Sequence, residues 1–349
     1  MSHHNLRAEK NCLSLDGGGV RSLSSLLIIE EIVRQYNIAN GLAADDQPPE
    51  PPGNVFHVAF GTSGGGLSAL MIKKYAMPMQ ACINSLRGVS NTVFRRRAAW
   101  PNLDLSALTG GLFAGSRFSQ GLLRQQIQLI TGTRTQMQSP SSNCNCYVVC
   151  RRSNSAGRII DNRAVCFACF ANGQANRLVW EAALATSAAS TYFPPAQLGP
   201  LEYYIDGGLG FNNPILTFSK QKSYMGIGDR TSACIISIGT GEPTPVQNLT
   251  ARNSWWRFWD RLTIINVFQN ALALATDIKN DHDAFEEIAG LSSNWSYFRF
   301  NCGGGLADIP LDQASQLPII ENLTRAYLAK PQTQATIQDA VRAMAYPAS

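Results

Sequence analysis

The sequence predicts an α/β fold, a three-layer sandwich in which a mostly parallel central sheet is flanked by helices. Three observations carry this prediction. Short apolar runs alternate along the chain with segments whose apolar residues recur at helical spacing. Glycine-rich turns close several of the runs: Asp16-Gly17-Gly18-Gly19, Gly61-Thr62-Ser63-Gly64-Gly65, Asp206-Gly207-Gly208 and Gly239-Thr240-Gly241. Side chains able to do chemistry sit at those strand ends, where open α/β sheets hold their ligands. The 349 residues, 45% of them hydrophobic, suffice for one large domain or two small ones. No internal repeat or low-complexity boundary divides them. We expect one domain over 1–349, with a core at about 11–241 and a mostly helical extension over 242–349.

Asn11 to Leu15 reads as a short strand running into the first glycine loop. Ser22 to Tyr36 follows as a helix, with Leu23, Leu26, Leu27, Ile29, Ile32 and Val33 on its apolar stripe. Residues 39–54 are rich in Pro, Asp and Gly and form a surface loop. Val55 to Phe60 is apolar and partly β-branched, a buried strand. Helices are expected at Met77 to Phe94, from about Phe118 to Ile130, and at Leu178 to Ala189, where Pro194-Pro195 follow the stop. Strands are expected at Tyr147 to Cys150, Ala164 to Phe170, Glu202 to Ile205 and Ala233 to Ile238. Beyond Gly241, Arg261 to Ile288 reads as helical, Trp295 to Asn301 as a late strand, and Leu317 to Met344 as one or two closing helices.

Charge and cysteine usage narrow the function classes. The net charge of +5, from 29 basic and 24 acidic residues, permits attraction to an anionic membrane and does not call for nucleic acid. No window reaches the ~18 apolar residues of a membrane span. The first residues lack a secretory h-region. A cytoplasmic location is expected, with peripheral attachment to membranes left open. Nine cysteines in a long chain of this kind argue against a disulfide framework. Cys166 and Cys169 form a C-x-x-C, but in a strand their thiols point to opposite faces, so buried packing is favoured over zinc.

Strand, Gly-x-Ser-x-Gly, helix is the context of a nucleophile elbow. Gly61 and Gly65 relieve a tight turn, and Ser63 stands at its tip with the following helix aiming its N-terminal N–H groups at the site. The alternative is an ordinary glycine-rich strand-to-helix turn. The Gly17-Gly18-Gly19 loop suits a phosphate cradle, an oxyanion hole or a bare turn. It lacks the lysine of a P-loop. A serine nucleophile needs a base. Of the four histidines, His3 and His4 lie in the terminus, His57 reads as a packed strand residue and His282 as a solvent-exposed one. Asp206, followed by Gly207 and Gly208, is the better candidate, which favours a two-residue Ser63–Asp206 site over a triad. Desolvation would raise its basicity.

Taken together, Asp16 to Arg21, Gly61 to Gly65 and Asp206 to Gly208 resemble the patatin-like phospholipases in order and spacing. Ala185-Thr186-Ser187-Ala188-Ala189, Tyr192-Phe193-Pro194-Pro195, Asn212-Asn213-Pro214 and Ser237-Ile238-Gly239-Thr240-Gly241 are similar to that family as well. The resemblance covers about Cys12 to Gly241. It implies a metal-independent, cofactor-free lipid acyl hydrolase of phospholipase A or lysophospholipase type, acting on phospholipid or another acyl lipid. Ser63 and Asp206 would be its dyad. Gly17, Gly18 and Gly19, with the Gly64 N–H, would be its oxyanion hole, and Arg21 would steady the loop or a phosphate headgroup. Ser22 and Ser190 depart from the family pattern, replacing a glycine and a proline. An acyltransferase with the same dyad and a silent lipid-binding relative are the alternatives. Trp255, Trp256 and Trp259, interleaved with arginines, suit a membrane–water interface or a docked core helix.

Overall fold

The computed structural model describes residues 8–42, 50–94, 117–138, 144–190, 192–228, 230–242 and 278–345. Among them, eight strands form one sheet: β1 (Lys10–Leu15), β2 (Val58–Thr62), β3 (Asn145–Ser153), β4 (Ile159–Ala168), β5 (Ala196–Gly199), β6 (Glu202–Asp206), β7 (Ala233–Ile238) and β8 (Trp295–Phe300). Their hydrogen-bonded order is β5-β6-β3-β2-β1-β7-β8, with β4 on β3. β3, β2, β1, β7 and β8 run parallel, whereas β4 and β6 run antiparallel to β3.

Both faces of the sheet are covered, which is why its central strands read as continuous apolar runs. Leu13, Leu15, Ala59, Val148, Cys150 and Ile236 point into one core, filled by helices Ser22–Ala39, Ser63–Ala69 and Val179–Thr186. Their neighbours Cys12, Val58, Phe60, Tyr147, Val149 and Ile235 point into the other, with Phe218 and Phe285. Cys166 lies in the second core and Cys169 in the first, so their thiols do face opposite sides.

Several expectations shift. The strand leading to the elbow is Val58–Thr62 rather than Val55 to Phe60. Pro52 opens a short helical turn, Pro52–Val55, because its fixed φ suits a first helical position. The helix after Ser63 ends in a π-helical turn, Leu70–Lys74. Beyond residue 241 the expected late strand and two closing helices are present. β8 extends the central sheet in register with β7 from Ala233↔Trp295 to Ile238↔Phe300. Helices Leu317–Leu328 and Pro331–Ala343 lie on the first helix, where Thr324 Oγ1 meets Ser24 Oγ at 2.8 Å and Tyr36 Oη donates to Ala345 O at 2.9 Å. The Trp255, Trp256 and Trp259 segment lies outside the described residues.

β3 is the branch point that positions the site. β4 takes one edge along Tyr147–Ser153, and β2 and β6 share the other. β2 ends at Thr62, opposite Val149; β6, running the other way, ends at Asp206, opposite Cys150. Two carboxyl-terminal strand ends therefore meet head-on, and Ser63 and Asp206 stand at the junction.

Candidate active site

Ser63 has φ 55, one of two non-glycine residues with positive φ among those described. A side chain held there costs about 1–3 kcal/mol and persists only where its surroundings over-determine it. The surroundings here do so. The Ser63 N–H donates to Thr186 Oγ1 at 2.9 Å, and the Thr186 hydroxyl donates to Val149 O at 2.6 Å. Gly61 and Gly65 let the turn close: a Cβ on Gly65 would lie 2.4 Å from Asp16 O, and one on Gly61 2.4 Å from Gly65 O.

Asp206 is 6% exposed at the end of β6. Burial pushes its carboxyl up to about 7, while hydrogen bonds from the Ser63 hydroxyl and the Gly208 N–H, the latter at 2.7 Å, pull it down. Desolvation wins because two donors do not replace a hydration shell. Gly207 allows the strand end to press against β3, since a Cβ there would lie 2.7 Å from Val149 O, whereas Gly208 is less crowded at 3.3 Å from Asp206 Oδ1.

The glycine loop divides its donors. The Gly17 N–H is spent on Asn212 O at 3.0 Å, which removes Gly17 from the expected donor set. Its carbonyl accepts from Thr240 Oγ1 at 2.7 Å and Asn212 Nδ2 at 3.2 Å, locking the loop. The N–H groups of Gly18, Gly19 and Gly64 have no acceptor among the described residues. Gly19 adopts φ 54, and a Cβ there would strike Leu311 O at 2.4 Å. A Cβ on Gly17 would lie 3.2 Å from Ser63 Cβ, so the loop and the elbow face each other.

Two arginines tie this loop to the C-terminal segment. Arg21 Nη1 donates to Ala307 O at 2.6 Å. Burial lowers its pKa to about 10, and it stays cationic at neutral pH. Arg299 on β8 grips Asp16 with both nitrogens, Nη1 to Oδ1 at 2.9 Å and Nη2 to Oδ2 at 2.5 Å, and Nη1 also donates to Ser237 Oγ at 2.7 Å. The pair is buried, Arg299 side chain 9% and Asp16 side chain 1% exposed. Sequence reasoning gave no role to Arg299, Thr186 or Asn212. A lone arginine among the aromatics of WSYFRF was the available signal for the first.

Above Ser63 lies a narrow apolar cleft of about 60 Å³, walled by Leu67, Leu86, Val89, Phe94, Leu123 and Phe193. A larger polar cavity lies elsewhere and does not include Ser63. Ser22 is fully buried with its Oγ unpartnered, against the Cα face of Gly64. The histidines stand apart. His57 precedes β2 and accepts the Asn11 N–H at its Nδ1, 3.1 Å away. His282 is half-buried rather than solvent-exposed, because its Nδ1 pairs with Tyr297 Oη at 3.0 Å on β8, beyond β7 and β1 from the elbow.

Fold and site together define an α/β protein with a strained serine at a strand–helix elbow facing a buried carboxylate. The chain matches the model of the patatin-like phospholipase family over residues 13–219, more than half its length, and it belongs to that family. It is 26% identical over 316 residues to the human calcium-independent phospholipase A2-gamma, covering 86% of this chain and 36% of that protein. It is 28% identical over 276 residues to a cGAMP-activated phospholipase of Escherichia coli, covering 74% of this chain and 72% of the relative. A Vibrio cholerae cGAMP-activated phospholipase is 25% identical over 332 residues, 90% of this chain and 88% of the relative. The chain thus spans about a third of the mammalian relative. At the level of the family, these matches support lipid acyl hydrolysis. Among the described residues, no helix is long and apolar enough to cross a membrane.

Proposed function

We propose that this chain cleaves acyl esters of phospholipids through Ser63 as nucleophile and Asp206 as base, without a metal ion. The observation that carries the reading is the head-on meeting of β2 and β6, which faces a strained serine with a carboxylate whose pKa burial raises to about 7. A carboxylate in that range is a competent general base near neutral pH. Asp206 takes the Ser63 proton as Oγ attacks the ester carbonyl. The N–H groups of Gly18, Gly19 and Gly64, which have no acceptor among the described residues, receive the oxyanion. Asp206 then returns the proton to the leaving alkoxide; in the second half the same carboxylate takes a proton from water as it attacks the acyl-Ser63 carbonyl, and gives it to Ser63 Oγ as the fatty acid leaves. The apolar cleft beside Ser63 suits an acyl chain. Arg299 acts at a distance, holding Asp16 and with it the start of the glycine loop.

The test is release of fatty acid and lysophospholipid from mixed phospholipid vesicles in the presence of a chelator. Release by the wild type and loss of it in both Ser63→Ala and Asp206→Asn support the assignment. Release that survives either substitution within tenfold removes that residue from the mechanism.

A further inference from the structure

A polar cavity of about 540 Å³ lies at the amino ends of the parallel strands, away from Ser63 at the carboxyl end of β2. Its wall carries Lys10 at the start of β1, His57 just before β2, Asn145 at the start of β3, and Lys73 from the π-helical turn, with Asn54 and Glu50 beside them. Neither lysine has a carboxylate within ion-pair distance among the described residues. Among the described residues, Lys73 Nζ donates to Gly53 O at 2.7 Å, and no acceptor is found there for Lys10 Nζ. Glu50, the one acidic group on the wall, already holds Asn54 Nδ2 on Oε2 at 2.7 Å. His57 accepts the Asn11 N–H at Nδ1, which leaves its ring proton on Nε2 as a donor. The cavity therefore collects two ammonium groups against one carboxylate, with an imidazole N–H and a carboxamide. Half-buried like charges sharing a wall are unfavourable until an anion joins them. Burial and Lys10 both lower the Lys73 pKa, and burial, helped by both lysines, lowers that of His57 to about 4.

We propose that this cavity is a second binding site, distinct from the Ser63 cleft, for a small phosphorylated molecule held by Lys10, Lys73 and His57. Its volume falls in the range of small-molecule sites, and its donor set matches the acceptor-only surface of a phosphate ester. Lys73 lies on the helical segment that begins with Ser63, so an anion drawn to it acts on the far end of the element carrying that serine.

Isothermal titration calorimetry with glycerol 3-phosphate and with inorganic pyrophosphate tests this, using wild type, Lys10→Gln/Lys73→Gln and Ser63→Ala. A parallel arm measures sedimentation with vesicles of phosphatidate in phosphatidylcholine, which separates a lipid headgroup from a free phosphate. The expected result is saturable binding of a soluble probe by wild type and Ser63→Ala, weakened at least tenfold in the double variant. Circular dichroism melts check that the double variant folds. Should it not, Lys10→Gln alone is used with Lys10→Arg as control, and the first should weaken binding while the second retains it. Binding to phosphatidate vesicles alone, lost with the lysines, assigns the same cavity to a headgroup. No saturable binding of any probe up to ~10 mM, or binding indifferent to both lysines, overturns the proposal.

Discussion

Replacing Asp206 by asparagine should abolish activity and at the same time make the protein relatively more stable as pH rises. Burial lifts the Asp206 carboxyl from 3.8 to about 7. Between those values the folded protein binds a proton that the unfolded chain has lost. Stability therefore falls as pH rises through that window and levels off above about 7. At about 1.36 kcal/mol per unit, the full cost of ionising this carboxylate in place is about 4 kcal/mol, and the part above pH 5 is about 2–3 kcal/mol. Asparagine does not titrate and keeps one oxygen able to accept the Gly208 N–H. Any fixed loss from imperfect hydrogen bonding cancels when the variant is compared with wild type at two pH values. The assay is urea unfolding of both proteins at pH 5 and pH 8.5, with Ser63→Ala as a control that leaves the carboxylate in place. The gap between Asp206→Asn and wild type should move in the variant's favour by about 2–3 kcal/mol on going to pH 8.5. A gap that stays constant, or that moves the other way, would refute the claim that Asp206 is a desolvated base. The same raised pKa requires kcat/KM for a soluble ester to climb through about pH 7 as the base ionises.

Other consequences follow from the surrounding geometry. Arg299→Met strands the Asp16 carboxylate in the core, at a cost of about 3–5 kcal/mol in denaturant unfolding, and Asp16→Asn/Arg299→Met should recover part of that loss. Gly65→Ala places a methyl within 2.4 Å of the Asp16 carbonyl and 2.5 Å of that of Leu15. Neither backbone group can yield cheaply, so ester hydrolysis should fall at least a hundredfold; retention of wild-type activity would contradict the packing described for the elbow. Trp256→Ala/Trp259→Ala should weaken phospholipid vesicle binding more than hydrolysis of a soluble short-chain ester, as read by sedimentation and a spectrophotometric assay. Equal loss on both would assign those aromatics to packing.

Much of the site was legible because its geometry rests on steric exclusion, and steric exclusion writes itself as glycine. Gly61, Gly65 and Gly207 stand where a Cβ would meet backbone, and each was visible beside Ser63 or Asp206. Ala233–Ile238 was legible to the residue because both its faces are buried and it reads as an unbroken apolar run. What escaped depends on partners distant in sequence. That Gly17 would give its N–H to Asn212 is a matter of tertiary hydrogen bonding across 195 residues. The antiparallel sense of β6, which brings Asp206 against the end of β2, leaves no local mark on Glu202–Asp206. The Asp16–Arg299 pair joins the first strand to the last, and a buried charge declares its counter-ion only once the sheet is assembled. The start of β2 slipped from Val55 to Val58 because the prolines at 51 and 52 favour a helical turn over extension of the strand.

The central claim is that Ser63 is the nucleophile and Asp206 activates it. The most direct measurement is covalent labelling with a fluorophosphonate, followed by peptide mass spectrometry, on wild type, Ser63→Ala and Asp206→Asn at pH 8. The account predicts a single adduct on Ser63 in the wild type, none in Ser63→Ala, and labelling slowed by at least a hundredfold in Asp206→Asn. An adduct on another residue, or undiminished labelling without the carboxylate, would contradict it.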